Sequence, residues 1–281
     1  MGKSQVAFSE IGLITTFVFQ AEHPVMVDVG AHHGSSSKWF ATHGWRVLAF
    51  EPEPGNRAAF ERNLDHMENV TCLPLAVSDV TGTEVPFFVS REHFGIHSLT
   101  PFHDTHERAF NVSTVRLDDV LKEQEIDHVA LLKVDVEGAD FQALRGFDID
   151  RFQPELVMLE FMDERTKPAY SYDHHDVAHY MTGRGYSAFV SEWAPINEYA
   201  REGVSTAPHR WLGCGPYPLD HAPAWGNLIF VPKARAADFE QTLKNYLEDL
   251  RRNRPGWLRS VARRIPGARR VYSFLKNLYS R

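Results

Sequence analysis

Residues 25–37 are the first stretch of the chain whose residue types could do chemistry. An apolar run ends there in Asp28 and then breaks into glycines, histidines and serines, with the spacing Asp28-x-Gly30-x-x-x-Gly34. In open α/β sheets, a glycine-rich turn from a strand into a helix binds ligands, because its backbone N–H groups and the helix N-terminus point at them. The turn therefore predicts a site for a dinucleotide, for a metal ion on His32 and His33, or for another small ligand.

The glycine spacing argues against a dinucleotide. Counted from Gly30, the G-x-G-x-x-G fingerprint needs glycine where this chain has His32 and Ser35, and His32 would obstruct the approach of a pyrophosphate. No Gly-Lys-Ser/Thr follows, so the turn is not a P-loop either. Glu51 ends the next apolar run, and an acid there suits the two hydroxyls of a ribose. The pattern favours a nucleoside without phosphates, and S-adenosylmethionine is the common one.

The elements that must position this turn follow from the alternation of apolar runs with amphipathic segments. Strands are predicted at residues 25–29, 45–51, 70–77, 129–135, 156–161, 186–190 and 227–231, and helices at 36–43, 54–64 and 139–146. This order predicts an α/β fold with a doubly wound, Rossmann-like sheet, mostly parallel with an antiparallel last strand, and with helices on both faces. Continuous apolar runs such as 129–132 are typical of parallel strands that are buried on both faces.

Composition changes along the chain predict three parts. Residues 1–24 form an N-terminal helical segment, and residues 25–234 form the main domain. Residues 235–281 contain a helix at 236–250 and a basic amphipathic tail. Two insertions are predicted in the main domain: 82–120, with extended segments at 83–90 and 111–117 around a histidine-rich connector at 91–110, and the irregular segment 192–226.

Charge and cysteine content restrict the function classes. The net charge is −7, yet residues 251–281 contain ten Lys or Arg and no Asp or Glu. The acidic body and the lack of a recognition motif argue against nucleic acid. The tail suits an anionic membrane face or a lipid-linked acceptor, and equally an acidic surface of its own protein or of a second subunit. Two cysteines without zinc-type spacing and no signal peptide indicate a cytoplasmic protein, with peripheral attachment to the inner membrane face as an extension.

Further motifs give the chain a recognisable resemblance. It resembles FkbM-type methyltransferases, which depend on S-adenosylmethionine, over roughly residues 25–161. The matching segments are Val27-Asp28-Val29-Gly30-Ala31, Phe50-Glu51-Pro52-Glu53-Pro54, Asn63-Leu64, Ala76-Val77-Ser78-Asp79, Val115-Arg116-Leu117-Asp118-Asp119, Lys133-Val134-Asp135-Val136-Glu137-Gly138 and Leu144-Arg145-Gly146. One departure is His32, where the family usually carries Asn; contacts from the backbone of the turn should survive that change.

The resemblance implies a cofactor site for S-adenosylmethionine. Asp28, Gly30, Ala31 and Gly34 would form the turn at its methionine end, and Glu51 with Pro52 would lie at the ribose. The resemblance further implies that Ser78 and Asp79 contact the adenine, and that Asp135 lies beside the sulfonium and the incoming substrate.

Methyl transfer to an alkyl hydroxyl benefits from a general base. The candidates are Asp135, Glu137, Glu160 and His97. Asp135 and Glu137 lie two apart in an extended segment and therefore share a face, Glu160 ends the run 156–161, and His97 follows Gly95-Ile96. A divalent ion such as Mg²⁺ on Asp135 and Glu160 is an alternative that the sequence leaves open, as is a purely structural role for each acid. The pairs His103/His106 and His174/His175 lack a tetrahedral set of metal-ligand spacings.

The function expected from the resemblance is O-methylation of a sugar hydroxyl in a polysaccharide, glycolipid or natural-product glycoside. Two alternatives remain at this point: an NAD-dependent oxidoreductase on the same sheet, and a non-catalytic binding module recruited to membranes by residues 255–281. A homo-oligomer is compatible with the sequence.

Overall fold

The computed structural model describes residues 8–64, 66–93, 95–196, 199 and 209–251. They divide into two compact units, one of residues 20–233 and one that contains residues 8–19 and 234–251. The predicted tail, 255–281, lies outside the described residues. Within the described part, no helix is both long and apolar enough to span a bilayer.

The larger unit is built on a sheet with the strand order β10-β9-β11-β8-β7-β1-β2-β3. Its strands are β1 (Val25–Val29), β2 (Arg46–Phe50), β3 (Val70–Leu73), β7 (Leu131–Val134), β8 (Leu156–Phe161), β9 (Tyr186–Trp193), β10 (Trp211–Pro216) and β11 (Trp225–Pro232). Strands β8, β7, β1, β2 and β3 are parallel, whereas β11 is antiparallel to β8 and to β9, and β10 is antiparallel to β9. The predicted doubly wound sheet with an antiparallel last strand is confirmed.

Helices connect the strands of the larger unit. They are α2 (Ser35–Thr42), α3 (Pro54–Leu64), α4 (Leu117–Glu123), α5 (Asp140–Arg145), α6 (Ile149–Phe152), α7 (Asp163–Tyr170) and α8 (His174–Thr182), and the turn Lys233–Arg235 is a 3₁₀ helix. The strand order leaves β1 in two directions, toward β3 and toward β8. Right-handed crossovers in opposite directions place helices on opposite faces of a sheet, and both faces of the central strands are buried.

The segment between β3 and β7 in the chain forms a smaller sheet of three strands, in the order β4-β6-β5. It contains β4 (Ala76–Val77), β5 (Glu84–Ser90) and β6 (His106–Val115). The single strand predicted at 70–77 is wrong, because the chain forms β3 and β4 in different sheets. Pro74 stands between them, and a proline donates no hydrogen bond to a strand ladder.

Two other boundaries differ from the sequence prediction. The predicted connector 91–110 ends early because β6 begins at His106, and Leu117 starts α4 instead of ending an extended segment. Strand β10 lies within 192–226, which the sequence predicted to be irregular. Its glycines and Pro216 hide the strand pattern, and they are tolerated because β10 is an edge strand of the sheet.

The smaller unit pairs α1 (Glu10–Val18) with α9 (Ala236–Arg251). Edge-to-face ring contacts join Phe17 to Phe239 at 5.2 Å and Phe8 to Tyr246 at 5.8 Å between ring centroids. Helix α1 begins at Ser9, whose side chain accepts a hydrogen bond from the N–H of Gly12, an N-cap that satisfies one of the open donors of the first turn.

Candidate functional site

A cleft of about 240 Å³ opens at the carboxyl ends of β1, β2 and β7, where an open α/β sheet binds its ligands. Its lining includes Gly30, Ala31, His32, Ser35, Ser36, Glu51, Pro52, Asn56, Leu75, Ala76, Val77, Phe87, Gly95, His97, Leu99, Lys133, Asp135, Val136 and Glu137. We call the side formed by residues 30–34 and Glu51 the turn wall. We call the group of Asp135, Glu137, Glu160 and Arg165 the acidic wall; Asp135 and Glu137 of this group line the cleft.

The turn wall depends on glycine at Gly30. Its φ of +76° is left-handed, and a Cβ atom added there would lie 1.8 Å from the backbone oxygen of Asp135. The N–H groups of Gly30 and Ala31 both donate to the carbonyl of Phe50, at 3.0 and 3.1 Å. The turn is therefore fixed by backbone contacts to β2 on one side and to the acidic wall on the other.

Helix α2 leaves the turn at Gly34, which is also left-handed, with φ of +79°. The first N–H groups of an α-helix have no partner within the helix, and Ser35 and Ser36 line the cleft at this point. The turn wall thus presents open backbone donors and the positive end of a helix dipole to the cleft, an arrangement that suits a carboxylate.

Glu51 is buried, with 5% of its surface exposed, and both of its carboxylate oxygens accept backbone hydrogen bonds. The N–H of His32 donates to Oε2 at 2.8 Å and the N–H of Glu53 donates to Oε1 at 2.9 Å. Burial raises the pKa of Glu51 to about 7, against the lowering effect of these two donors. Each oxygen keeps a lone pair for a further donor, so the carboxylate can bind a pair of neighbouring hydroxyls.

Asp28 does not line the cleft. It is fully buried; Ser37 Oγ donates to its Oδ2 at 2.6 Å, and Lys133 Nζ lies 3.1 Å from its Oδ1. The same Nζ donates to the carbonyl of Gly30 at 3.0 Å and lies 3.5 Å from Oδ2 of Asp135. Burial alone would lower the pKa of Lys133, but the carboxylates of Asp28 and Asp135 raise it above its ordinary value. Asp28 therefore reaches the turn wall through Lys133.

The acidic wall brings together three carboxylates at the ends of β7 and β8. One oxygen each of Asp135, Glu137 and Glu160 lies within 4.8 Å of the others. Arg165 from α7 hydrogen-bonds through Nη1 to Oε2 of Glu137, and the same Nη1 lies 3.8 Å from Oε2 of Glu160. Asp135 is the most accessible of the three, with 41% of its side chain exposed, against 16% for Glu137 and 12% for Glu160.

Burial and mutual repulsion shape the ionisation of this wall. Burial raises the pKa of Glu137, and Arg165 offsets part of the effect. Burial and the neighbouring charges of Glu137 and Asp135 also raise the pKa of Glu160 well above its ordinary value. Both acids therefore keep a proton to higher pH than a free carboxyl group does.

The divalent ion that the sequence left open as an alternative would compete with Arg165 in this arrangement. Two of the three carboxylates that would hold it already face the guanidinium of Arg165, whose carbon lies 4.2 Å from the ring centroid of Phe102 and whose Nη2 donates to the hydroxyl of Tyr199 at 2.8 Å. A divalent cation would have to displace this buried, well-held cation. Among the described residues, no other group of three or more His, Cys, Asp or Glu side chains has metal-site geometry.

The turn after Asp135 is held by Asp140, at the start of α5. Its two carboxylate oxygens accept the N–H groups of Val136 at 3.0 Å and of Gly138 at 2.9 Å. Glu137 and Gly138 are both left-handed, with φ of +58° and +116°. The chain turns sharply at these two residues, and the side chain of Glu137 contacts Arg165.

His97 lines the cleft from the segment between β5 and β6, where Ser98 Oγ donates to the backbone oxygen of Glu137 at 2.9 Å. The N–H of Ser90 donates to Nδ1 of His97 at 3.2 Å, and burial lowers the pKa of the ring. A neutral ring whose Nδ1 accepts a hydrogen bond carries its proton on Nε2. His97 therefore offers a donor to the cleft, whereas a general base needs a free lone pair.

Ser78 and Asp79, which the resemblance places at an adenine, do not line the cleft. Asp79 forms an ion pair with Arg145 at 2.7 Å, and its backbone oxygen accepts from Arg116 at 2.9 Å. The cleft is lined just before them by residues 75–77. Gly30, Ala31, Glu51, Pro52, Asp135, Glu137 and His97 line the cleft, whereas Asp28, Gly34 and Glu160 are not among its lining residues.

Residues of the histidine-rich connector form hydrogen bonds with each other. The N–H of Phe102 donates to Nδ1 of His106 at 3.2 Å, and Nε2 of His106 lies 2.7 Å from the carbonyl oxygen of Ile96. In the turn wall, the rings of His32 and His33 stack with centroids 3.7 Å apart. Neither set belongs to a metal-site group among the described residues.

Sequence reasoning missed two residues of this site, Lys133 and Arg165. Lys133 had a signal, since it is a single cation inside an otherwise apolar strand. Arg165 had none, because it lies on the polar helix α7 and reaches Glu137 only through the fold.

Comparisons with known proteins agree with the geometry. Residues 28–188 match the family model of the methyltransferase FkbM domain. Methyltransferase sdnD from Sordaria araneosa is 29% identical over 164 residues, which cover 47% of this chain and 63% of that protein. The 2-O-methyltransferase NoeI from Sinorhizobium fredii (strain NBRC 101917 / NGR234) is 22% identical over 161 residues, which cover 50% of this chain and 64% of that protein. The chain thus spans a little under two thirds of the length of these relatives.

Among solved structures, the O-methyltransferase TomG from Streptomyces achromogenes, in complex with SAM, aligns with a TM-score of 0.43 and 11% identity over 82% of this chain and 83% of that one. An O-methyltransferase from Bacillus cereus, in complex with SAH, aligns with a TM-score of 0.40 and 10% identity over 82% of this chain and 84% of that one.

Proposed function

The chain belongs to the FkbM methyltransferase family, as its motifs predicted, and from this premise we propose that it transfers the methyl group of S-adenosylmethionine to a hydroxyl of a sugar. The proposal depends on one observation: the two walls of the cleft offer different chemical groups. The turn wall offers a carboxylate and open backbone donors, and the acidic wall offers carboxylates to a hydroxyl.

The turn wall matches the cofactor group by group. Glu51 accepts the two ribose hydroxyls with the free lone pairs of its oxygens. The open N–H groups at the start of α2 receive the carboxylate of the methionine part. The apolar lining at Leu75, Ala76 and Val77 packs against the adenine. This placement leaves the sulfonium near Asp135, across the cleft from the ribose.

The chemistry is an in-line displacement at the methyl carbon. The acceptor oxygen forms the new bond to carbon, the carbon–sulfur bond breaks with its electron pair going to sulfur, and the hydroxyl proton passes to a carboxylate. Asp135 is the base in this scheme, because it is the most exposed carboxylate of the acidic wall and lines the cleft. Such a base contributes about 10²–10⁴-fold to the rate.

The other groups support that step without taking the proton. Glu137 and Glu160 face Arg165, which fixes them behind Asp135. His97 donates a hydrogen bond from Nε2 to an oxygen in the cleft. The reaction as proposed therefore needs positioning and one base.

The sugar acceptor is supported by the family resemblance, and transfer to an oxygen is supported by the name of one relative, a 2-O-methyltransferase. The experiment uses S-adenosylmethionine labelled in its methyl group and a panel of methyl hexopyranosides, phenols and simple alcohols, with mass spectrometry of the products and release of S-adenosylhomocysteine as readouts. Label on a sugar oxygen in the wild type, together with a loss of about 10²–10⁴-fold in turnover in Asp135→Asn, is the expected result.

Other outcomes distinguish the alternatives. Label transferred only to non-sugar phenols or alcohols contradicts the sugar acceptor and keeps the methyl transfer. Tight binding of NAD without binding of S-adenosylmethionine would indicate an oxidoreductase. Binding of the cofactor without turnover on any hydroxyl would indicate a binding module.

The proposal includes a separate role for residues 255–281, which act in the cytoplasm at an anionic membrane face or on a lipid-linked acceptor. The support is the concentration of Lys and Arg in this part of the sequence. Full-length protein should co-sediment with anionic liposomes, and a variant that ends at residue 254 should not. Equal sedimentation of both proteins would contradict the role. Absence of sedimentation together with self-association would indicate docking on a second subunit.

A further inference from the structure

Lys133 contacts residues of both walls of the cleft. It comes from β7, directly opposite Asp28 of β1 in the register of the parallel pair. Its side chain is 6% exposed, and its ammonium group faces three oxygens: the carbonyl of Gly30 at 3.0 Å, Oδ1 of Asp28 at 3.1 Å and Oδ2 of Asp135 at 3.5 Å. The contact to the Gly30 carbonyl is a hydrogen bond, and the contacts to Asp28 and Asp135 are ion pairs.

A purely structural reading explains only one of these contacts. Asp28 is fully buried, and a buried carboxylate needs a cation nearby. That need would be met by the Asp28–Lys133 pair and by the hydrogen bond from Ser37. It does not require that the same ammonium group also reach Gly30 and Asp135, which both line the cleft.

The two walls already touch through their backbones. The space for a Cβ atom at Gly30 is taken by the backbone oxygen of Asp135, and the N–H of Asp135 donates to the carbonyl of Val29 at 3.0 Å. These contacts fix the backbone of Asp135 but leave its carboxylate free to rotate. Among the described residues, Lys133 is the cation that forms an ion pair with that carboxylate.

We propose that Lys133 is a positioning residue that holds the carboxylate of Asp135 at a fixed distance from the Gly30 turn, and thereby aligns the acceptor hydroxyl with the methyl donor. This inference rests on the proposed function, because it assigns Lys133 a part in methyl transfer. A misplacement of about 1 Å can cost about 10²-fold in rate, so loss of this contact should affect kcat more than binding.

Removal of Lys133 alone is an ambiguous test, since it would leave Asp28 as an uncompensated buried charge. The informative comparison is between Asp28→Asn and the double variant Asp28→Asn/Lys133→Met. Both lack the buried carboxylate at position 28, and Ser37 can still donate to the Asn oxygen. Only the double variant loses the contacts to Gly30 and Asp135.

The experiment measures melting temperature, the affinity for S-adenosylhomocysteine, and kcat and KM with methyl hexopyranosides as acceptors. The double variant should have a kcat at least about tenfold below that of Asp28→Asn, with KM for the acceptor and the affinity for S-adenosylhomocysteine within about threefold. Equal kcat values for the two variants would overturn the proposal and leave Lys133 as the structural partner of Asp28.

A second variant covers the case in which the double variant does not fold. Lys133→Arg keeps a cation beside Asp28 but replaces a point-like ammonium by a planar fork, which cannot address three converging oxygens in the same way. A reduced kcat with an unchanged melting temperature supports the positioning role, and a kcat equal to that of the wild type overturns it. A wild type without turnover on the glycosides would refute the acceptor class itself, which separates that failure from a failure of the Lys133 assignment.

Discussion

In the turn wall, backbone groups of neighbouring strands and turns fix the functional residues. In the acidic wall, side chains from segments far apart in the sequence fix the carboxylates. Glu51 is fixed by the N–H groups of His32 and Glu53, and Gly30 by the carbonyl of Phe50. Glu137 and Glu160 are fixed by Arg165, which in turn contacts Phe102 and Tyr199. The geometry of the first wall therefore depends on backbone contacts, and that of the second depends on the side chain of Arg165.

The difference extends to ionisation. Glu51 is a buried carboxylate that accepts hydrogen bonds from two backbone N–H groups. The acidic wall contains several carboxylates that repel one another and share one guanidinium, so their protonation is collective. A change at Glu51 should therefore leave the protonation of the acidic wall unaltered, whereas a change at one acid of the acidic wall should alter the protonation of the others.

The contact between the walls gives the largest expected effect on stability. Gly30→Ala must adopt a left-handed conformation and also meet the backbone oxygen of Asp135 at 1.8 Å. The conformation costs about 1–2 kcal/mol, and the overlap about 1–3 kcal/mol more. Urea denaturation measures the free energy of unfolding.

Gly82→Ala is the matched control for this variant. Gly82 has φ of +80°, and a Cβ atom there would meet nothing within 4 Å, so only the conformational cost applies. Equal destabilisation by the two substitutions would show that the walls are not packed against each other at Gly30.

The next largest effect is a pH dependence of stability that arises from Glu51 in the turn wall. Glu51 has a pKa of about 7 in the folded protein and an ordinary value of 4.5, so the folded state binds more protons between these values. Its contribution to the free energy of unfolding is therefore present at low pH and is lost as the pH rises from 4.5 to 7, by about 3 kcal/mol.

Glu51→Gln does not titrate and supplies the reference for this effect. The advantage of the wild type over Glu51→Gln should decrease by about 3 kcal/mol across the window in urea denaturation at each pH. The affinity of the wild type for S-adenosylhomocysteine should increase over the same window, because ionised Glu51 accepts the ribose hydroxyls. A pH-independent difference between the two proteins would rule out the raised pKa.

The smallest effect is expected at His32, whose contribution to the turn wall is its backbone N–H. His32 has φ of +49°, a conformation that Asn adopts more easily than His. His32→Asn should stabilise the fold by up to about 1 kcal/mol and leave the affinity for S-adenosylhomocysteine unchanged.

His33→Asn serves as the control for His32→Asn, because it also removes the stacked pair of rings but not the left-handed histidine. A strong loss of cofactor affinity in His32→Asn alone would show that the imidazole itself contacts the cofactor.

The two walls also differ in how far the sequence predicted them. The turn wall is local: the spacing of Gly30 and Gly34 and the acid at the end of the next strand were enough to predict its position and its ligand class. Asp135, Glu137 and Glu160 were predicted from strand ends, since parallel strands end at one edge of the sheet.

What joins these acids was not predictable. Arg165 reaches Glu137 from a helix with no motif, and the role of His97 as a donor depends on the N–H of Ser90, which only the fold brings to Nδ1. Asp28 is fully buried and pairs with Lys133. Its direct contact with the cofactor remains a prediction. Side-chain networks between segments far apart in sequence carry no periodic signal, and the sequence therefore could not show them.

Titration calorimetry of S-adenosylhomocysteine tests the division of the cleft most directly, because this ligand has the ribose and the methionine part but no sulfonium charge. In Glu51→Ala, which loses two charge-assisted hydrogen bonds worth about 1.5–3 kcal/mol each, Kd should rise by about 100-fold or more. In Asp135→Asn, Kd should stay within about threefold of the wild type. An unchanged Kd in Glu51→Ala, or a larger loss in Asp135→Asn than in Glu51→Ala, would contradict the assignment of the turn wall to the cofactor.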